Sequence, residues 1–554
     1  MSNFINLETP YCNLEVLNKI INKKNNNQQI KKLEVIINSK QLHKYKKNSN
    51  TYSENSFVYF ARVGNKFDGN SLVDEIINSK NFFISTKKNL TTYAIKNKLS
   101  DEYINKIMSS QYFLTVDNIE ESLNKTLDII FNFKNNYFHT IAVTGTNGKT
   151  STVQICSQLY ENLSNESCLR IGTLGLQIKD QVIESSHVTT PDYPSFLQIL
   201  NYCYKNNIPQ IIMETTSHGL EENRINNWLV DIAVFTNLTQ DHLDFHGTME
   251  AYRSAKLKLF ATHLKSSGCA ILCLNNDEWP YFCDASISPS RTLIAICIPQ
   301  QTKTLFEKYN NQFKKVYCLE IQESKSNLSG NSAVVCFRDS ANIINEFKFE
   351  TPLIGEFQLY NILCAIAAMI YKGFSPEKIC QNLLTLKNIP GRLEVIKNHN
   401  SKKFPTVLID YAHSPDALEK AILVCKEILF KENKGKLITV FGCGGDRDKS
   451  KRALMGEIAA KLSDQVIVTS DNPRTEDPNK IIDDIFSGIR YNIDKCTREI
   501  DRKKAIELAI RSSSEFDLVL VAGKGHEDYQ IIGEKKYPFS DSLIANSLLT
   551  EEKY

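Results

Sequence analysis

The sequence predicts an α/β protein of several domains with mainly parallel sheets, on three observations. Its 554 residues suit three or four domains at about 100–200 residues each. Short apolar β-runs alternate with helical stretches in two separate series, the pattern of parallel strands joined by crossover helices. Each run ends in a polar or glycine-rich turn, and in open α/β sheets ligands sit off those carboxyl ends.

In chain order, residues 1–125 are rich in Asn and Lys and show one clear strand, "SFVYFARVG" (56–64), followed by the turn "GNKFDGN". The first alternating series reads "HTIAVTG", "PQIIMET", "VDIAVFTNL" and "GCAILCLNN". The segment 281–350, with "IQESKSNLSGNS", is expected to be irregular and to hold an insertion. After "NIPGRLEVI" (388–396) the second series reads "FPTVLIDYA", "GKLITVFGCGG", "SDQVIVTSDNPR" and "FDLVLVAGKG".

Composition excludes several classes. Lys and Arg number 66 against 63 Asp and Glu, so there is no excess of basic residues to recruit nucleic acid or a membrane surface. Lysine clusters such as "HKYKKNSN" read as solvated surface. The 15 cysteines are odd in number and lack zinc-like CxxC spacing, which predicts reduced, mostly buried thiols. No apolar run reaches the roughly 18 residues of a spanning helix. The N-terminus has neither the order of a secretory signal nor the acid-poor composition of a transit peptide. A soluble cytoplasmic protein is expected.

"VTGTNGKTST" (143–152) ends a strand and opens a helix. In that context a glycine turn presents backbone N–H groups and a helix N-terminus to phosphate oxygens. Gly145 and Gly148 allow the turn, Lys149 reaches the β/γ-phosphates and Thr150 is placed for Mg²⁺. The strict G-x(4)-G-K-[ST] count fails, because its first glycine falls on Val143. ATP and GTP both remain open on this loop.

Further strand ends carry chemistry. "METTSHGL" supplies Glu214, Thr216 and His218; "FTNLTQDHLDFHG" supplies Asn237, Asp241, His242 and Asp244; "EAYRSAKLKLF" puts Lys256 on a helix. Glu and His are reasonable ligands for Mg²⁺ or Mn²⁺ beside nucleotide phosphates. Taken alone, each histidine reads as a hydrogen-bonded structural residue and Lys256 as an exposed helix charge.

Together and in order, "GTNGKTS", "TTPD" (189–192), "METTSHGL", "FTNLTQDHLDFHG", "YRSAK..LF", "LIGEFQLYN" (353–361), "IPGRLEVI", "DYAHSPDAL" (410–418), "VFGCGGDRDKSKR" (440–452), "DNPRTEDP" (471–478) and "GKGHEDYQ" (523–530) resemble the Mur ligases of peptidoglycan synthesis. The resemblance runs from about residue 35 to 545 and is weakest before 125 and in 281–350. It implies three domains: 1–125 for the UDP-sugar group, a central P-loop ATPase over 126–388, and a Rossmann-like amino-acid domain over 389–554. It also implies ATP, Mg²⁺, a monomer and small-molecule substrates, with neither nucleic acid nor membrane.

Residue by residue, the resemblance assigns Gly145, Thr146, Asn147, Gly148, Lys149, Thr150, Ser151, Asn361, Arg392, Asp410 and His413 to ATP. Thr150, Glu214 and His242 would hold metal, and Lys256 matches the lysine that the family carbamylates. Ser39, Asn65, Lys66, Phe67, Thr189, Thr190, Thr216, Glu222 and Arg224 fall to UDP-N-acetylmuramoyl-L-alanyl-D-glutamate. "DNPR" resembles the members that add meso-diaminopimelate, with Arg447, Asp471, Asn472, Pro473, Arg474, Gly523 and Glu527 around that donor. An arginine awaiting a carboxylate rejects a donor that lacks one.

The alternatives are a lysine-adding member, a folylpolyglutamate-type ligase and a catalytically silent relative. The chain departs from the family at "NSK" (38–40), where Asp-Ser-Arg is usual, at Thr216 for Ser, and at Glu222 for Gln.

Overall fold

Runs of Val, Ile and Phe too short for helices form strands, and strands covered on both faces read as continuous apolar stretches. A computed structural model of the chain describes residues 11–12, 33–36, 57–64, 67–131, 133, 137–184, 188–396, 404–433 and 435–550. They separate into two units. The first runs to His139 and takes in Pro191–Pro209 and Glu222–Asn226; the second holds the remainder.

The first unit carries a five-stranded sheet in the order Tyr11–Cys12, Leu33–Ile36, Phe57–Phe60, Phe82–Ser85, Phe113–Thr115. Its first pair is antiparallel and the rest are parallel. The sequence reading found only the middle strand. "FFIS" is buried throughout, yet four residues between Asn- and Lys-rich flanks carry too little periodicity to identify. Helix Tyr193–Lys205 belongs here, started by the Asp192 side chain, which accepts from the Ser195 N–H.

The second unit contains two large sheets. The eleven-stranded sheet runs Ile343–Thr351, Gly330–Arg338, Phe313–Asn327, Ser288–Cys297, Leu264–Cys273, Val230–Phe235, His139–Thr144, Gln210–Glu214, Cys168–Gly172, Gly175–Ile178, Gln181–Glu184. The four runs of the first alternating series are its centre. Helices Lys149–Ser164 and Glu356–Tyr371 pack together over this sheet and share its core with Ile141, Val143, Ile232 and Val234. The six-stranded sheet runs Glu394–Ile396, Thr406–Asp410, Leu518–Ala522, Leu437–Phe441, Gln465–Val468, Cys496–Arg498. All its pairings are parallel except the first.

The segment 281–350 is not an irregular insertion. Ser288–Cys297 and Phe313–Asn327 extend the parallel sheet, and Phe313–Asn327, Gly330–Arg338 and Ile343–Thr351 form an antiparallel meander on its edge. The polar "ESKSNLSGN" stretch is the end of one strand and its hairpin turn, with one face in solvent.

Toward the C-terminus, Arg502 and Asp541 are both fully buried and joined at 2.7 Å. This pair ties helix Arg502–Arg511 to helix Asp541–Thr550.

Candidate active site

Strand His139–Thr144 ends at Gly145, and helix Lys149–Ser164 begins after Gly148. Both glycines have positive φ, +152° and +85°. A Cβ at Gly145 would overlap Thr236 Oγ1, and one at Gly148 would overlap Asn361 Oδ1. Both are therefore fixed by backbone conformation and by space. No side chain caps the helix start, so its first N–H groups face the loop as a ready anion cradle.

Two lysines converge on that loop. Lys149 Nζ donates to the carbonyls of Gly145 and Thr146, each at 2.8 Å. Lys256 Nζ donates to the same Gly145 oxygen at 2.9 Å. Its helix, Met249–Lys258, starts where the Thr248 hydroxyl accepts from the Ala251 N–H, and Tyr252 on that helix reaches Thr146 Oγ1 at 3.1 Å. Lys256 is buried, and burial together with the Lys149 charge holds its amine well below the ordinary lysine value. Burial lowers Lys149 as well. Two ammonium groups on one carbonyl oxygen make a site that an anion would stabilise.

Glu214 ends its strand almost fully buried; one carboxylate oxygen accepts from the Thr173 N–H at 2.8 Å and the other from Thr173 Oγ1 at 3.1 Å. Thr190 Oγ1 donates to the Glu214 carbonyl and lies 3.2 Å from Thr216 Oγ1, while Thr189 Oγ1 lies 3.3 Å from Thr173 Oγ1. His242 adopts a left-handed backbone, φ +53°. Desolvation, opposed by Asp241 and aided by His218, Lys149 and Lys256, lowers it to about 4, so its ring is neutral at neutral pH. Among the described residues no three His, Cys, Asp or Glu side chains gather into a metal cage. The metal residues expected from the sequence, Thr150, Glu214 and His242, offer one hydroxyl, one carboxylate and one imidazole, a donor chemistry compatible with Mg²⁺, which keeps water and phosphate oxygens in its shell.

The second sheet's loops reach the same turn. Arg392 Nη2 donates to Thr150 Oγ1 at 3.2 Å, and its guanidinium lies 4.8 Å from the Tyr411 ring centroid. Asn147 Nδ2 donates to Asp416 at 3.1 Å. Asp410 accepts from the Leu393 and Ala412 N–H groups, both at 2.8 Å, and burial raises it. His413 Nδ1 lies 2.9 Å from the Tyr411 carbonyl. Asn361 is buried beneath the loop against Gly148 and receives Thr152 Oγ1 at 3.3 Å. Ser151 is buried within the helix.

Ser39, Asn65 and Lys66 lie outside the described residues. Phe67 is exposed in the first unit. Glu222 and Arg224, also there, pair with each other at 2.6 Å. That pair accounts for Glu222: its charge is matched by the arginine two residues on.

At the far end of the second sheet, Arg474 sits in a left-handed turn, φ +51°. The hairpin Tyr529–Ile532/Lys535–Pro538 holds its backbone: Arg474 N–H donates to the Ile531 carbonyl and Gly533 N–H to the Arg474 carbonyl. Arg474 Nη1 donates to the Gly445 carbonyl at 2.7 Å, and no carboxylate pairs with it among the described residues. A Cβ at Gly444 would lie 2.9 Å from Arg474 Nη1 and 3.8 Å from Arg447 Cγ, so that glycine keeps the space between the two arginines open. Asn472 Nδ2 donates to Glu527 at 2.8 Å. Asp471 and Pro473 are buried, and Gly523 packs against the Asp471 carboxylate.

Comparison with known proteins agrees with this geometry. The Mur ligase middle domain matches residues 143–369, and the Mur ligase glutamate ligase domain matches residues 391–525. A protein of Rickettsia montanensis named UDP-N-acetylmuramoyl-L-alanyl-D-glutamate--2,6-diaminopimelate ligase is 37% identical over 505 residues, covering 90% of this chain and 94% of its own. The chain belongs to the Mur ligase family. A protein of the same name from Aquifex aeolicus is 35% identical over 494 residues, covering 89% and 91%. A solved structure of a ligase of that name is similar to this Mur ligase with a TM-score of 0.59 and 25% identity, over 98% and 99% of the two chains. The MurF ligase of Thermotoga maritima, in complex with ADP, shares the fold at a TM-score of 0.52 and 17% identity, over 89% and 94%.

The structure of this Mur ligase adds residues that the sequence reading missed. Thr173 anchors Glu214, Asp416 receives the phosphate loop, and Gly444 spaces the two arginines. Arg452 is buried on Glu476 and Asp484. Lys524, fully buried inside the quoted "GKGHEDYQ", pairs with Glu527 at 2.9 Å. Its flanking glycines were the available signal, since a lysine in a tight turn at a strand's carboxyl end has little room to reach solvent.

Proposed function

We infer that this Mur ligase joins meso-2,6-diaminopimelate to UDP-N-acetylmuramoyl-L-alanyl-D-glutamate, converting ATP to ADP and phosphate, in peptidoglycan precursor synthesis. One observation carries the choice of donor: Arg474, half-buried in the "DNPR" turn, has no carboxylate partner among the described residues. The distal amino-carboxylate of diaminopimelate supplies one, and lysine does not. Curated relatives at 35–37% identity bearing this ligase name support the same reading.

The peptide carboxylate oxygen attacks the γ-phosphorus, the bond to ADP breaks, and an acyl phosphate forms. The donor amine then attacks the acyl carbon, loses a proton and expels phosphate. Such transfer depends mainly on positioning and on neutralising charge. Gly145, Thr146, Asn147, Gly148, Thr150 and Ser151 wrap the phosphates, and Lys149 supplies positive charge. Asn361, Arg392, Asp410 and His413 serve the rest of the nucleotide. Thr150, Glu214, His242 and a carbamylated Lys256 would hold Mg²⁺, which when bound shields the anions from one another. Burial lowers the Lys256 amine and so favours its neutral form, the form that adds to CO₂ with loss of a proton. The carbamate replaces a cation beside Lys149 with an anion.

Thr189, Thr190, Thr216, Glu222 and Arg224, with Ser39, Asn65, Lys66 and Phe67, take the UDP-sugar dipeptide. The three-domain division at 1–125, 126–388 and 389–554 follows these three substrates. The protein acts as a cytoplasmic monomer; among the described residues no helix is long and apolar enough to cross a membrane, and the cysteines from Cys156 to Cys496 are free thiols. The test is phosphate release from ATP with the nucleotide dipeptide and each candidate donor. Release with meso-diaminopimelate well above that with L-lysine is expected, and faster release with lysine would overturn the donor assignment.

A further inference from the structure

Lys524 is the most deeply buried charge of the donor cleft. Its side chain has 0% exposure and lies 2.9 Å from Glu527 Oε2 and 3.7 Å from Asp471 Oδ1. It also donates to Asn472 Oδ1 at 3.3 Å. Asn472 Oδ1 accepts from the Ile531 N–H as well, and Asn472 Nδ2 donates to the same Glu527 oxygen that Lys524 holds. One ammonium thus orients the Asn472 amide and ties down one oxygen of Glu527. The other oxygen, Oε1, has no protein hydrogen bond among the described residues, and the Glu527 side chain keeps 15% of its surface open.

With Arg447 exposed to solvent and set aside, the formal charges of the cleft sum to zero. Asp471 and Glu527 are acids; Lys524 and Arg474 are bases. Of these four, Arg474 alone is without an opposite charge at ion-pair distance among the described residues, and Glu527 is the more open of the two acids, 15% of its side chain against 8% for Asp471. A ligand end that carries both an ammonium and a carboxylate therefore meets one unspent acid oxygen and one unspent guanidinium, and leaves the cleft neutral. A ligand end that is only cationic leaves Arg474 without an acid and adds a net positive charge, which is costly where water is excluded.

We propose that Lys524 is a positioning residue that sets donor specificity. Its ammonium cancels one of the two cleft acids and fixes Asn472 and Glu527, so that the cleft prefers a zwitterionic distal end to a purely cationic one. The inference rests on the donor reading above and adds to it a residue that touches no substrate atom. Without Lys524 the cleft would carry a net negative charge and favour the cationic donor.

The experiment compares kcat/KM for meso-diaminopimelate and for L-lysine by phosphate release with full-length protein. Lys524→Met should lower the ratio of the two by about tenfold or more, with the KM for ATP changed by no more than about twofold. Lys524→Arg, which keeps the charge, should restore most of the ratio; a purely volumetric role for Lys524 would not give that rescue. Asp471→Asn leaves Lys524 in excess and should move the ratio the other way, so it carries the test if Lys524→Met does not fold. An unchanged ratio in a folded Lys524→Met protein would overturn the proposal, as would a falling ratio in Asp471→Asn. The unaltered protein's turnover with meso-diaminopimelate tests the donor reading separately, and the ratio is measured with whichever donors it turns over.

Discussion

At the phosphate loop, Lys149 and Lys256 donate to one carbonyl oxygen; at the donor cleft, Lys524 is enclosed with Asp471 and Glu527. The first site concentrates like charge in a desolvated turn, and both amines are driven toward their neutral forms. The second pairs its buried charge before any ligand arrives. The contrast matches what each would receive. A polyphosphate brings several negative charges and needs an unbalanced positive site, whereas an amino acid's zwitterionic end brings none in sum and needs a balanced one with a single acid oxygen and a single guanidinium to spare. Arg452 and Arg474 repeat the contrast within one domain: Arg452 is paired with both Glu476 and Asp484, while Arg474 has no carboxylate partner among the described residues.

The comparison can be broken most directly at Lys256. Lys256→Ala should reduce ligase turnover by about a thousandfold or more, on the scale of removing a group that acts in phosphoryl transfer. Partial rescue by added small carboxylates would show that the side chain acts as an acid group, and a variant retaining more than a tenth of the rate would remove Lys256 from the reaction. At the other end, Arg474→Ala should raise the KM for meso-diaminopimelate by about a hundredfold, the scale of leaving one desolvated charge unpaired. Its KM for ATP should be unchanged, and steady-state kinetics with each substrate varied in turn checks both.

The paired arginine sharpens the contrast through stability rather than rate. Arg452 holds the Glu476 carboxyl at about 2, below its ordinary 4.5. A depressed folded-state value contributes stability above the unfolded value that is lost as pH falls from 4.5 toward 2. Glu476→Gln should cost about 2 kcal/mol at neutral pH and flatten the acid limb of a denaturation series; an unchanged limb would mean that the pair carries no linkage. The smallest effect belongs to the half-exposed pair of Glu222 and Arg224. Glu222→Gln removes the acid paired with Arg224 and one negative charge from the surface facing an anionic substrate, and should lower the KM for the nucleotide dipeptide by about two- to fivefold, the scale of an exposed ion pair.

Much of this arrangement was legible in the sequence. All eight β-runs of the two alternating series are strands, because a central parallel strand is apolar on both faces and stands out from its flanks. The loop from Gly145 to Thr150 and the position of Lys256 on a helix were equally plain. The five-stranded sheet was not, since Leu33–Ile36 and Phe82–Ser85 are four-residue runs with no alternation to detect. The edge meander was misread because its strands expose one face and look like polar linker. Lys524 escaped for a similar reason: a lysine between glycines reads as surface until the acids from two other turns are brought against it, and nothing local announces Asp471, 53 positions earlier in the numbering.

The dry pair of Arg502 and Asp541 makes the last described helix a stitch rather than an ornament. A nick that released residues beyond 540 would strand a guanidinium in the interior of the six-stranded sheet's support, so a shortened chain should fail in the cell as a folding defect well before it fails as a catalyst. Handles for purification or labelling therefore belong after residue 550, where the stitch is already closed.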